Sequence, residues 1–150
     1  MEVVEPMSDS LVIREASPAD ATALAELLEV FNKVPTTPET AARRMEALKA
    51  TETILLAFMG GAAVGLCSVR VVPFLSEDRP YAEVTELFVR PEQRRRGIAR
   101  ALMARAEAVA LLKGATDVFL MTGFKNATAQ AFYRATGYGD YALAMRKKLS

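Results

Sequence analysis

The stretch RRRGIAR, residues 94–100, combines residue types that could bind an anion. It follows an apolar, strand-like segment and precedes a helix-like one, so it is predicted to lie at a helix N-terminus. The first backbone N–H groups of a helix lack intrahelical partners, and the helix dipole adds positive charge there. Gly97 removes the Cβ where a phosphate must approach, and arginines add charge-assisted hydrogen bonds. The pattern favours a pyrophosphate site.

Two other interpretations of the arginines stay open at this point. Three arginines in a row are often simply a solvated surface, although arginines at a helix N-terminus oppose the helix dipole, which favours a function. A nucleic-acid patch is the weaker hypothesis, because the cluster is short and has no interleaved aromatic residues. The sequence also lacks the Gly-Lys-Ser/Thr of a P-loop and the later glycines of a dinucleotide-binding fingerprint.

The composition excludes several other classes of site. The 150 residues include no histidine and one cysteine, Cys67, which excludes an internal disulfide and Ser-His or Cys-His catalysis and argues against a zinc site. The net charge of +1 provides no overall field toward nucleic acid or membranes. No apolar run approaches the roughly 20 residues of a membrane helix, and the acidic N-terminus does not resemble a signal peptide. We expect a cytoplasmic protein.

Apolar spacing and turn residues predict the elements that position the arginines. Ser17, Pro18 and Asp20 form a capping-box pattern for a first helix, Thr37 precedes a second, and two adjacent glycines indicate a hairpin. We expect strands at residues 11–15, 53–59, 62–72, 81–89, 117–122 and 141–149, and helices at about 17–30, 38–49, 97–112 and 126–136.

The order of these elements, β-α-α-β-β-β-α-β-α-β, predicts the fold class. Helices alternate with strands only in the second half, so we expect an α/β fold with a mixed β-sheet flanked by helices on both faces. The length suggests a single domain. Residues 11–150 are predicted to form that domain, and residues 1–10 a flexible N-terminal tail.

Two segments resemble the signature of the GCN5-related N-acetyltransferases, the GNAT family. RRRGIA, residues 94–99, resembles the family pattern Q/R-x-x-G-x-G/A, with Ala99 where glycine is common. NATAQAFYRATGY, residues 126–138, resembles the second family segment, an Asn followed by a helix that carries Phe-Tyr and ends in Gly-Tyr. The resemblance covers residues 53–149 well and implies a GNAT-like fold for the predicted domain.

The resemblance implies acetyl-CoA as the donor, and the composition leads us to expect no metal. Backbone N–H groups of residues 95–99 would hold the CoA pyrophosphate. Phe88 and Val89, on a strand splayed from its neighbour, would hydrogen-bond the pantetheine arm like an added strand, and Asn126 would bind the arm from the other side. The implied cofactor-binding residues are Phe88, Val89, Arg94, Arg95, Arg96, Gly97, Ile98, Ala99, Arg100, Asn126 and Phe132.

The resemblance also implies catalytic roles. Tyr133 would be the general acid for the leaving thiolate, and a backbone N–H near Val89 would stabilise the oxyanion. Glu83 and Glu86 are candidate bases on a largely apolar strand, where strict alternation puts them on opposite faces and a bulge would change that. Glu86 is favoured because it adjoins LFV, while Glu83 or a water relay remains open.

The predicted function is transfer of an acetyl group from acetyl-CoA to an amine of a small molecule or a protein, by direct attack in a ternary complex. The alternative is a non-catalytic acyl-CoA-binding or sensing module on the same fold. The loops at residues 31–40 and 73–83 would line the acceptor side, where Glu77 and Asp78 could attract a cationic amine. No nucleic-acid or membrane partner is expected, and a homodimer is a further hypothesis.

Overall fold

The computed structural model describes residues 10–150. They form two compact units, one that ends at Phe119 and a second that comprises Leu120–Ser150. The predicted N-terminal tail lies outside the described residues except for Ser10, so that prediction and the domain boundary at residue 11 remain predictions.

The observed elements follow the predicted order, with one exception at the C-terminus. The first unit contains β1 (Leu11–Glu15), α1 (Ala21–Asn32), α2 (Pro38–Leu48), β2 (Glu52–Met59), β3 (Ala62–Val72), β4 (Tyr81–Val89) and α3 (Ile98–Leu112). β5 (Val118–Leu120) follows, and α4 (Ala127–Ala135) lies in the second unit.

Helix starts in the first unit follow the capping chemistry that the sequence predicts. The Asp20 carboxylate accepts a hydrogen bond from the Ser17 backbone N–H at 2.8 Å, and a 3-10 turn at Pro18–Asp20 leads into α1. Thr37 Oγ1 accepts from the Thr40 N–H at 3.1 Å at the start of α2. These bonds satisfy N–H groups that a helix start leaves open.

The strands form one mixed sheet in the order β1-β2-β3-β4-β5. The first four pair as antiparallel neighbours. Two hydrogen bonds join the start of β4 to the start of β5: Thr116 N–H donates to Pro80 O, and Ala82 N–H donates to Asp117 O. Residue numbers increase in the same direction along both segments, so β4 and β5 run parallel. The predicted mixed sheet is confirmed.

A bulge in β4 decides which face its carboxylates occupy. Ser68 pairs with Glu86 and Val69 with Val84, so Thr85 is the extra residue. Glu83 pairs with Arg70, two residues beyond Ser68, and therefore lies on the same face as Glu86. Strict alternation, which predicts opposite faces, is wrong here, and the alternative with a bulge is confirmed.

Helices cover both faces of the sheet within the first unit. Leu56, Leu66 and Phe88 lie side by side across three strands and pack in one buried cluster with α1 and α2. The neighbouring residues of β3 point to the opposite face. An added Cβ on Gly65 would lie 3.2 Å from Leu102 of α3. The expected fold class is therefore confirmed.

The predicted strand at residues 141–149 is absent from the described structure, and β5 is shorter than the predicted 117–122. Residues 140–150 adopt no regular secondary structure, and every one of them is exposed. A strand needs a neighbouring strand for its backbone hydrogen bonds, so an alternating pattern alone does not produce one.

Candidate active site

The arginine loop is fastened to the ends of β3 and β4. Arg90 donates from its backbone N–H to Val64 O at 2.8 Å and from Nε to Ala63 O at 2.9 Å. A 3-10 turn at Pro91–Gln93 follows, and Arg94 Nε then donates to Val89 O at 3.2 Å. These bonds fix where the chain leaves the sheet and where α3 begins.

The loop turns into α3 through two left-handed residues. Arg95 has φ 64° and Gly97, the N-cap of α3, has φ 78°. An added Cβ at Gly97 would meet nothing within 4 Å, so backbone conformation rather than crowding within the chain requires glycine. Gly97 has no side chain to cap the helix, so the first N–H groups of α3 remain available to an anion.

The arginines around this helix start are exposed and largely without partners. Apart from the bond of Arg94 to Val89, no hydrogen bond or ion pair engages the side chains of Arg95, Arg96 and Arg100 within residues 10–150. Four cationic side chains thus lie within one loop and one helical turn, with no carboxylate paired to them. This arrangement suits a ligand that carries several negative charges.

Several hydrophobic residues that were predicted to bind the cofactor pack their side chains into the hydrophobic core. Ile98 is buried at the start of α3, and Phe88 stacks on Phe31 with ring centroids 4.9 Å apart. Val89 is buried as well, while Ala99 is partly buried. Only the backbone groups of Phe88, Val89 and Ile98 are suited to contact a ligand, as the predicted roles require.

The C-terminal half of β4 extends beyond β5. The bonds toward β5 occur at the first residues of β4, and β4 has nine residues while β5 has three. Because the two run parallel from that point, the backbone of residues 87–89 lies past the end of β5. The predicted splay of β4, with a pantetheine arm in the place of a strand, remains a prediction.

Glu83 is engaged in an ion pair. Its carboxylate accepts from Arg70 Nη2 at 2.7 Å and Arg70 Nε at 3.2 Å, and its side chain is 17% exposed. The same contact raises the pKa of the Arg70 guanidinium. The Glu83 carboxylate is therefore occupied by Arg70 rather than free to contact a substrate.

Glu86 lies in a different environment on the same face. Burial of its carboxyl raises its pKa, the nearby Glu52 carboxylate raises it further, and Arg44 of α2 opposes the shift. The side chain still retains access to solvent. A carboxyl group with a raised pKa that can meet a substrate has the properties of a general base.

A small polar cluster next to Glu86 was not predicted. The Glu52 carboxylate accepts from Ser68 Oγ at 2.5 Å and from Thr85 Oγ1 at 3.3 Å. Ser68 is buried, and Thr85 is the bulge residue. A buried serine in a long apolar strand was the available signal, but only the register across three strands brings these residues together with Glu86.

In the second unit, Asn126 has a structural role. Its Oδ1 accepts from the Ala129 N–H at 3.0 Å and caps α4. The backbone N–H of Asn126 itself donates to Gly123 O at 3.0 Å. Its predicted contact with a pantetheine arm remains a prediction.

Tyr133 belongs to a compact aromatic group within the second unit. Its ring lies 5.2 Å from Phe132 and 5.9 Å from Tyr138 between centroids, both edge-to-face. The Tyr138 N–H donates to Tyr133 O at 3.0 Å, which closes the C-terminal end of α4. These contacts orient the Tyr133 ring, and the structure places Asn126, Phe132 and Tyr133 on one short helix and its cap.

A cavity of about 550 Å³ adjoins the loop in the first unit. It is lined by α1, the β2–β3 turn and residues around Arg90, and Glu26 and Glu92 lie in its wall. Gln93 Oε1, also in the wall, is buried without a hydrogen-bond partner in the described structure. The described residues contain no cluster of three or more metal-ligating side chains and no helix long and apolar enough to cross a membrane.

Comparison with known proteins agrees with this arrangement. The profile of the Acetyltransferase (GNAT) family matches residues 21–138. An IAA acetyltransferase of Azospirillum brasilense is 34% identical over 86 residues, which are 57% of this chain and 54% of that protein. The chain thus spans about half of that relative.

Solved structures share the fold across nearly the whole chain. A structure from Agrobacterium tumefaciens strain C58 is 28% identical, covers 91% of this chain and 99% of its own, and gives a TM-score of 0.84. The aminoglycoside N-acetyltransferase AAC(6')-Iy, in complex with CoA, is 18% identical, with coverages of 98% and 100% and a TM-score of 0.83. The resemblance in the two sequence segments is therefore confirmed, and the chain belongs to the GNAT acetyltransferase family.

Proposed function

We propose that this protein transfers an acetyl group from acetyl-CoA to an amine by direct attack in a ternary complex. The observation that carries the proposal is the unpaired arginine loop at the start of α3, with its left-handed glycine. Family membership supports acetyl-CoA as the donor, and the CoA bound to the similar AAC(6')-Iy structure agrees.

The donor would be held by three groups of contacts. Backbone N–H groups of residues 95–99 would bind the pyrophosphate, and the side chains of Arg94, Arg95, Arg96 and Arg100 would add charge-assisted hydrogen bonds. The backbone at Phe88 and Val89 would bind the pantetheine arm, since β5 does not reach that level. Asn126 and Phe132 of the second unit complete the proposed set.

The chemistry needs a proton removed from the amine and a proton supplied to the thiolate. The amine nitrogen attacks the thioester carbon, and a backbone N–H near Val89 stabilises the oxyanion that develops. The C–S bond then breaks, and the sulfur takes a proton from the Tyr133 hydroxyl. A phenol with an ordinary pKa of about 10 is protonated at neutral pH and can supply that proton.

Glu86 is the preferred base over Glu83. Glu83 is held by Arg70, while burial raises the pKa of Glu86 toward the range in which a carboxylate accepts a proton usefully. A water molecule could relay the proton between the amine and the Glu86 carboxylate. This assignment would place the acceptor amine over the face of the sheet that also carries Ser68 and Glu52.

The proposed acceptor is a small molecule or a protein that carries a primary amine. Several similar structures are aminoglycoside acetyltransferases, which act on amines. Their sequence identity to this chain is too low to assign an aminoglycoside as its substrate. Glu77 and Asp78, in the loop before β4, would attract a cationic amine. A cytoplasmic location and a homodimer are parts of the proposal, and the mass of the protein in solution tests the latter.

The first test is binding of acetyl-CoA followed by release of CoA with a panel of amines. Acetyl-CoA at about 100 times its dissociation constant should add about 2.7 kcal/mol of stability, a shift of several degrees in the melting temperature. CoA release with at least one amine class would support the enzyme. Tight binding without release across the panel would favour the non-catalytic acyl-CoA-binding module instead.

The acid assignment has its own test. Tyr133→Phe removes the hydroxyl and retains the ring contacts, so we expect kcat to fall about a hundredfold while acetyl-CoA binding stays near the wild-type level. Tyr138→Phe is the matched control, because it removes a hydroxyl from the same aromatic group. Equal turnover of Tyr133→Phe and wild type would refute the role of Tyr133.

A further inference from the structure

Glu52, the first residue of β2, takes no part in the proton transfers proposed above. Its cross-strand partner is Arg70, two positions from Ser68 on β3, so its side chain shares a face of the sheet with Ser68 and Glu86. Glu52 is only partly exposed there, on the face that packs against α1 and α2. A carboxylate in such a place calls for a partner or a function.

Two hydroxyl groups anchor one oxygen of the Glu52 carboxylate. Ser68 Oγ donates to Oε2 at 2.5 Å, and Thr85 Oγ1 donates to the same oxygen at 3.3 Å. Ser68 is buried, which shields its hydrogen bond from water. Charge-assisted bonds of this kind restrict a side chain that would otherwise rotate in solvent. The negative charge of Glu52 is therefore held at one place on the sheet.

Both anchoring residues adjoin Glu86. Ser68 is its cross-strand partner, and the Cβ atoms of such partners lie about 4.5 to 5.5 Å apart. Thr85 precedes Glu86 in the chain, and its Oγ1 also lies 3.3 Å from the Ser68 carbonyl oxygen. The Glu52 carboxylate thus contacts the residue opposite Glu86 and the residue before it.

The bulge in β4 produces this arrangement. In a regular strand, Thr85 and Glu86 would point to opposite faces. With Thr85 as the extra residue, its hydroxyl reaches Glu52 on the face that carries Glu86. Neighbouring carboxylates destabilise a sheet, because like charges repel. An arrangement that costs stability and lies at the proposed site indicates a function.

The charged groups that surround Glu86 act in opposite directions. Burial of the Glu86 carboxyl and repulsion from Glu52 raise its pKa, whereas Arg44 of α2 opposes the shift. Arg70 and Glu83 lie on the same face and form an ion pair with each other at 2.7 Å, so they add little net charge. Glu52 is therefore the anion that acts on Glu86 from another strand.

We propose that Glu52 is a positioning residue for acetyl transfer: anchored by Ser68 and Thr85, it holds a negative charge beside Glu86 and so sets the pH above which Glu86 accepts the proton of the amine. A neighbouring anion strengthens the affinity of a carboxylate for a proton, and a fixed anion keeps that effect constant. The inference rests on the proposed function, in which Glu86 is the base.

The first experiment follows the titration of the Glu86 carboxyl carbon by carbon-13 NMR in the protein without ligand, and Glu86→Gln identifies the signal by its loss. Glu52→Gln should lower the pKa of Glu86, because a repelling charge is removed, and Arg44→Gln should raise it. Glu15→Gln is the matched control. Glu15 is exposed and pairs with Leu55 on the opposite face, so its loss should leave the titration unchanged.

The second experiment measures kcat/KM against pH with an amine that the acceptor panel identifies. The acid limb should move to lower pH in Glu52→Gln and to higher pH in Arg44→Gln. The maximal rate of Glu52→Gln should also fall, because a carboxylate with a lower pKa is a weaker base. Glu15→Gln should retain the wild-type profile. A purely structural role of Glu52 would change the melting temperature without moving the limb.

A third comparison tests the anchor. Thr85→Val removes the hydroxyl, whereas Thr85→Ser retains it, and Ser68→Ala removes the other donor. A released Glu52 carboxylate would turn toward solvent, so the pKa of Glu86 should fall in Thr85→Val and Ser68→Ala and stay at the wild-type value in Thr85→Ser. Circular dichroism should show that all three variants are folded.

Two results would overturn the inference. An unchanged Glu86 titration in Glu52→Gln would show that the two charges do not interact. A titration that shifts while the acid limb stays in place would show that Glu86 is not the base, which would refute both that assignment and the role of Glu52. The NMR titration requires no acceptor, so it separates a failure of the charge arrangement from a failure of the proposed acetyl transfer.

Discussion

Two groups of arginines in the first unit differ in what surrounds them. Arg14 and Arg70 each meet a carboxylate, Asp20 and Glu83, at 2.7 Å, on the sheet or at the start of α1. The arginines of residues 94–100 meet no carboxylate in the described part of the chain, and they surround a helix N-terminus that is itself positive.

The paired arginines stabilise the fold, whereas the unpaired arginines are available to bind an anionic ligand. A paired arginine contributes to stability and has little left for binding, whereas an unpaired cluster is repulsive until an anion arrives. The two glutamates of β4 repeat the contrast, since Glu83 is paired and Glu86 lies beside another carboxylate. Changes at paired groups should alter stability, and changes at unpaired groups should alter binding or turnover.

The largest expected effect is at Glu86. Glu86→Gln removes the proposed base, so kcat/KM should fall about a hundredfold, and the acid limb of the pH–rate profile should disappear. In the wild type the raised pKa places that limb above the ordinary range of a glutamate, with the rate rising as the carboxyl deprotonates.

The same substitution should not destabilise the fold. A carboxyl whose pKa is raised in the folded state is an unfavourable charge at neutral pH, so Glu86→Gln should unfold at an equal or higher temperature. Glu83→Gln is the matched change on the same strand. If only Glu83→Gln abolished the acid limb, the base would be Glu83.

The next effect in size is at Arg96. Arg96→Ala should weaken acetyl-CoA binding about tenfold, since a hydrogen bond to a charged group contributes about 1.5 kcal/mol. Its melting temperature without ligand should not fall, because no partner is lost. Isothermal titration calorimetry measures the affinity, and Arg105→Ala, an exposed arginine further along α3, should bind like wild type.

A smaller effect, in stability alone, is expected at the Arg14–Asp20 pair. The hydrogen bond from Arg14 is the main cause that lowers the Asp20 pKa from 3.8 to about 2. Asp20→Asn should therefore lower the free energy of unfolding by about 1 kcal/mol at pH 7, after allowance for solvent screening. The loss should not change acetyl-CoA affinity.

The pH dependence of that contribution has a defined sign. Because the folded pKa lies below the unfolded one, the stabilisation is complete above about pH 4 and is lost as the pH falls toward 2. Denaturant titrations of wild type and Asp20→Asn should therefore converge in that window. A difference that stayed constant down to pH 2 would contradict the assignment.

The smallest effect is expected at Arg70–Glu83. Arg70 is substantially exposed, so Glu83→Gln should cost about 0.5 kcal/mol of stability. Thermal unfolding at low and high salt checks this, because screening should reduce the difference between variant and wild type. A loss of acetyl-CoA binding in Glu83→Gln would instead remove the contrast between paired and unpaired charges.

The sequence alone predicted those parts of the fold that depend on local chemistry. Thr37 caps α2, and the glycine pair turns the chain between β2 and β3, through contacts with residues close by in the sequence. The predicted start of α2 and the predicted hairpin are therefore confirmed. The arginine loop and the turn at Gly97 were predictable for the same reason, because their residue types and order are contiguous.

What could not be predicted depends on pairing between distant residues. The bulge at Thr85 is set by the register of β4 on β3, and it alone brings Glu83 to the face of Glu86. The contacts of Glu52 with Ser68 and Thr85 cross three strands. The segment at residues 141–149 shows the converse, since its local pattern predicts a strand and pairing decides whether one forms.

The measurement that tests the central claim most directly compares two glycines. Gly97 and Gly61 are both left-handed, with φ 78° and 80°, and both have open space where a Cβ would lie. Gly97→Val and Gly61→Val should therefore cost similar stability, about 1 to 2 kcal/mol. Only Gly97→Val should abolish the thermal stabilisation by acetyl-CoA. Equal stabilisation of both variants by acetyl-CoA would contradict a phosphate site at the start of α3.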